Sequence, residues 1–115
     1  MLEKVILDYL AEQLDVPVYM ERPLELTDRF VILERTSTSE MNKIRSCMLA
    51  CQSYDRNSLA GAAALNDQVM AAMDQAIILP SISRCKLNNA YNFTDTATKE
   101  YRYQAVYDIT YYEVT

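Results

Sequence analysis

Between Tyr101 and Tyr111 every second residue is aromatic or apolar: Tyr101, Tyr103, Ala105, Tyr107, Ile109 and Tyr111. A period of two is that of a half-buried strand, and this one would carry a single aromatic face. At the opposite end of the chain the period changes. Leu2, Val5, Ile6, Tyr9, Leu10 and Leu14 recur every three or four residues among Glu3, Lys4, Asp8, Glu12 and Gln13, which predicts an amphipathic helix over 2–14. Pro17 biases Val16 out of the helical region, so Val18-Tyr19-Met20 can start a short extended piece, and Pro23 keeps the next connection irregular.

The run Phe30-Val-Ile-Leu-Glu-Arg-Thr36 is rich in β-branched and aromatic residues and starts apolar on both faces, which predicts a strand in the middle of a sheet. The polar stretch 37–42 would be the loop after it, and 44–54 a second long strand. Its alternation is imperfect, so either Cys47 and Leu49 or Met48 and Ala50 could face the helices. Asp55-Arg-Asn-Ser58 offers several helix caps ahead of Leu59, Ala62, Ala63, Leu65, Val69, Ala72, Met73, Ala76 and Ile77, an alanine-rich helix over 58–77. Gly61 lies inside that pattern, where glycine costs about 1 kcal/mol relative to alanine unless close packing requires it. After Pro80, Cys85, Leu87, Tyr91 and Phe93 alternate with polar residues, only Asn89 being out of phase, and 95–100 would join this strand to the tyrosine-rich one as an antiparallel hairpin. These elements predict one α+β domain over 1–115, with a mixed, largely antiparallel sheet of four to five strands and both helices on one face. Tyr103, Tyr107 and Ile109 are expected to meet the core.

Charge and composition narrow the partners. Eleven basic against sixteen acidic residues give a net charge of -5, which supplies no global attraction for nucleic acid. The amino end lacks the basic and apolar segments of a signal peptide, and no apolar run approaches the ~18 residues of a bilayer span, so a cytosolic protein without a membrane partner is expected. Three cysteines, at 47, 51 and 85, are an odd number with no metal-ligand spacing. On a strand Cys47 and Cys51 would stand about 13 Å apart, too far for a disulfide, and reduced, buried thiols are expected.

Candidate chemistry is sparse. The chain has no histidine and one glycine, so neither a hydrolytic triad nor a phosphate-cradling loop can be assembled. Glu12 with Asp15, Asp67 with Asp74, and Asp95 with Glu100 are the nearest approaches to paired carboxylates, and none brings a second ligand type. No catalytic residue, metal site or cofactor is expected, and the chain does not read as an enzyme. A tyrosine-bearing sheet could stack single-stranded bases, but Arg102 falls on the opposite face of its strand, which favours a core or subunit contact.

The order helix, short strand, two long strands, long helix and antiparallel strand pair resembles the tail terminator and tail-completion proteins of long-tailed bacteriophages. The likeness runs over nearly the whole chain. It is carried by Val16-Pro-Val-Tyr-Met-Glu-Arg-Pro23, Phe30 to Thr36, Ala50-Cys-Gln-Ser-Tyr54, Ala62 to Met73, and Tyr101 to Tyr111. The resemblance implies a non-enzymatic virion protein, assembled in the host cytoplasm, that forms a ring, often a hexamer, on the head-proximal end of the tail tube. Its partners would be its own copies, the tail tube protein and a head-completion or connector protein, with DNA passing through the lumen without specific binding. A connector or stopper on the portal side would share that size and ring logic. The polar segments 37–43 and 94–100 are expected to project from strand ends, which makes Glu40, Lys43, Lys99, Glu100 and Arg102 the candidates for subunit or tube contacts, with solvated hairpins as the alternative.

Overall fold

A computed structural model describes residues 2–25, 27–41, 44–98 and 100–112. The protein is α+β, with two helices packed on one face of a five-stranded sheet. Helix α1 spans Leu2–Gln13. Strands β1 (Val18–Tyr19), β2 (Arg29–Met41) and β3 (Ile44–Asp55) follow, then α2 (Leu59–Asp74) with a 3-10 turn at Ala76–Ile78, and finally β4 (Ile82–Asn92) and β5 (Arg102–Tyr112). The order across the sheet is β1-β2-β3-β5-β4. Only the β1–β2 pairing is parallel.

Odd-numbered residues of β3 and β5 face the helices, which resolves the ambiguity in β3 in favour of Cys47 and Leu49. They join Val31 and Leu33 of β2, Ala105, Tyr107, Ile109 and Tyr111 of β5, Ile6 and Leu10 of α1, and Leu65, Val69 and Met73 of α2 in one core. Of the alanines of α2 only Ala62 is fully buried; Ala60, Ala64 and Ala71 face outwards. Tyr9 donates its hydroxyl proton to the Ala72 carbonyl at 2.7 Å, tying α1 to α2, and Arg35 reaches Glu3 at 3.3 Å, tying α1 to β2. Tyr107 and Ile109 meet the core as expected. Tyr103 is only half-buried, opposite Ser53 and Asn92 near the end of the sheet.

Four expectations need correction. The stretch expected to be a loop after Thr36 is strand as far as Met41, held by its pairing to β3, and β2 and β3 form one long hairpin. Strand β2 is interior only along its apolar start, where β1 pairs with Val31 and Ile32 and both faces are buried; beyond that its free side forms an edge. The second helix stops at Asp74 and tightens into the 3-10 turn. Within β4 the phase changes because the register shifts between Leu87 and Asn89. Cys85 and Leu87 lie on the helix-facing side, opposite Ile109 and Tyr107, whereas Tyr91 lies on the other face opposite Gln104. An extra residue in one strand inverts every side chain beyond it.

Candidate subunit interface

Both helices occupy one side of the sheet, and among the described residues no helix covers its second face. At one end that face is closed by its own side chains. Phe30 of β2, Tyr54 of β3 and Arg102 of β5 stand side by side in register. The Phe30 and Tyr54 rings stack at 4.6 Å with 10° between their planes, and Tyr19 meets Phe30 edge-on at 6.3 Å. The Arg102 guanidinium lies 4.4 Å from the centre of the Phe93 ring and 5.7 Å from that of Tyr54. It also donates to the Phe93 carbonyl at 2.7 Å and to the Tyr54 hydroxyl at 3.0 Å. Cation–π contact of this kind is worth roughly 0.5–2 kcal/mol, and the hydrogen bonds fix the guanidinium plane.

The neighbouring row is polar and continuous. Tyr54 donates to Gln52, Gln52 to Gln104 at 2.9 Å, and Gln104 to the Tyr91 hydroxyl at 2.6 Å, a chain of hydrogen bonds crossing three strands. Gln52 also reaches Glu34 at 3.4 Å. Buried amides so satisfied fix the strand register without offering free donors to a ligand.

Towards the β2–β3 hairpin the same face opens into a trough of about 300 Å³ with Ser37, Ser39, Ser46, Arg84, Asp108 and Thr110 on its walls. Ser39, Ser46, Thr110 and Arg84 form one register row across four strands.

The five residues predicted from sequence are not gathered in one place. Glu40 is the penultimate residue of β2 and pairs with Arg45 across the hairpin at 3.5 Å. Glu100 is bridged to Asp95 and holds Arg22 through both carboxylate oxygens. Arg102 is fixed in the aromatic cluster. Lys43 and Lys99 lie outside the described residues. Glu40 and Arg102 stand at opposite ends of the sheet: Arg102 is opposite Tyr54 and Glu40 opposite Arg45, a separation of roughly 30 Å at the rise of a strand. The Arg22 hydrogen bond, ahead of burial, which acts the other way, holds the Glu100 carboxyl below its ordinary range. Glu100 is therefore already engaged within its own subunit. Among the described residues, no three potential metal ligands cluster.

No protein-family model matches this chain, and no curated protein sequence does. Sequence reasoning missed Phe93, Tyr91 and Arg22 as parts of the aromatic and polar face. The signal that could have found the first two is Asn88-Asn89, where the alternation of β4 breaks. Arg22 gives no such signal, because its loop meets Tyr54 and Glu100 only after the chain has folded.

Proposed function

We propose that the protein is a structural virion subunit that assembles into a ring on the head-proximal end of a phage tail tube, where it stops tube growth and joins tail to head. The observation that carries this reading is the one-sided layering: a five-stranded sheet with both helices on one face, and with the trough end of the other face, the β4 edge and β2 beyond β1 open to outside contacts. The element order is the one on which the resemblance to tail terminators rests. The role is assembly through surfaces, with no chemical step. Tyr107 and Tyr111 are buried under the helices, which removes most of the aromatic platform that a single-strand-binding module would need.

Polymerising tail tube subunits in the presence of the protein tests the proposal. Shortened tubes with added density at one end, seen by electron microscopy, are expected. Unchanged length and bare tube ends would overturn it, and capture by a portal ring under the same conditions would move the assignment to the connector on the head side.

A further inference from the structure

The two edges of the sheet differ in charge and are both open. Strand β4 forms one edge along Ile82–Asn92 and carries Arg84 and Lys86 with no acidic residue. Neither basic side chain makes an ion pair among the described residues. The other edge is β2 beyond the two positions that β1 covers, and residues 34–40 are all exposed. Its arginines are committed, Arg29 to Asp55 and Arg35 to Glu3, whereas Glu34 takes only an amide hydrogen bond from Gln52 and no cation. Glu34, Arg84 and Lys86 all point to the face without helices, because their register rows run through Ala50, Thr110 and Asp108.

We propose that copies of this chain associate head to tail through these edges, β4 of one copy adding to β2 of the next, with Arg84 and Lys86 of the first facing Glu34 of the second. Strand direction agrees. In one sheet β2 and β5 run one way and β3 and β4 the other, so a neighbour placed in the same orientation presents its β2 antiparallel to β4, the more stable pairing. Charge disfavours the two-fold alternatives. Pairing β4 with β4 in a register centred near Lys86, or β2 with β2 in one centred near Glu34, would bring like charges together and gain no ion pair. A contact between two different edges repeats around a ring or along a filament instead of closing as a dimer. The register shifts at Ser83 and Asn88 in β4 and at Thr36 in β2 interrupt both edges, and such irregularities limit pairing to a short complementary stretch.

This inference deepens the ring reading by naming the edges that meet. Its test uses three variants: R84E/K86E, E34K, and the triple combination, each checked for folding by circular dichroism and weighed by sedimentation equilibrium. R84S/K86S replaces the first if charge reversal unfolds it. The first two should each associate at least about tenfold more weakly than the parent. Their equimolar mixture and the triple variant should recover association, since each restores opposite charges at every contact. Variants that associate like the parent, or a mixture no better than its components, would overturn the edge pairing while leaving the ring reading in place. A parent that stays monomeric both in solution and on tail tubes would overturn both.

Discussion

Gly61 stands in the first turn of α2, where alanine would be favoured by about 1 kcal/mol on helix propensity alone. The glycine is there for room. A β-carbon at this position would lie 1.9 Å from Asp55 Oδ2 and 2.7 Å from its carboxyl carbon. That carboxylate is not free to move, because Oδ1 accepts from the Asn57 and Ser58 amides at 2.9 and 3.1 Å and Oδ2 faces Arg29 at 3.7 Å. It thus links the end of β3, the start of the helix and the start of β2. Gly61→Ala is expected to lower stability by about 1–3 kcal/mol, the cost of disturbing hydrogen bonds to a buried charge, despite the better helix former. Urea unfolding of a double-mutant cycle with Asp55→Ser checks this: most of the Gly61→Ala penalty should vanish once the carboxylate is gone. A Gly61→Ala protein as stable as the parent would show that Asp55 moves aside at no cost.

Among the elements, the loop after β1 is fastened to the β4–β5 connection by Arg22 and Glu100. Because the folded carboxyl titrates below its ordinary value of 4.5, its contribution is complete above that value and is lost as pH falls through the depressed one. Arg22 is almost half exposed, so solvent screening keeps the pair to less than about 1 kcal/mol. Arg22→Ala should therefore be slightly less stable than the parent near neutral pH. The two melting curves should converge once the pH has fallen through the depressed Glu100 range and the carboxyl is protonated; a gap that persists there would assign the loss to Arg22 packing over Tyr54 instead. This clasp and the irregularities at Thr36 and Ser83 were not legible in the sequence, whereas the one at Asn88 showed there as the break in alternation at Asn89. Periodicity located α1, α2 and β5 because each has one face against the core, whereas β3 alternates imperfectly because it is buried on both faces from Leu49 to Asp55. It failed on 37–41, where Ser and Thr sit on both faces and the strand persists through backbone pairing, and beyond Asn88, where one extra residue moved Tyr91 to the face that Arg102 occupies. The candidate contact residues were legible only as polar positions; which of them are already paired depends on partners distant in sequence, as Arg22 and Glu100 are.

For the molecule as a whole, the three thiols report on its integrity. Burial pushes the Cys47 and Cys85 thiols from 9.0 up to about 11 and raises that of Cys51, which is fully covered, still further. A rise of that size cuts the thiolate fraction about a hundredfold at mildly alkaline pH. Native protein should alkylate slowly at pH 8, with Cys51 reacting only as fast as the sheet opens, and denaturant should release all three together; rapid labelling of Cys51 in the native state would contradict the closed core. The same sheet has a consequence for how the chain is made. Strand β5 follows all the others in sequence yet lies between β3 and β4, so during synthesis β3 and β4 wait as two separate pieces with a vacant slot between them. Each leaves a row of backbone N–H and C=O groups unpaired until the tyrosine-rich segment comes between them. Long-range pairing of this kind slows folding and prolongs exposure to aggregation. The last strand in sequence is therefore not an addition to a finished sheet but the insertion that joins its two parts.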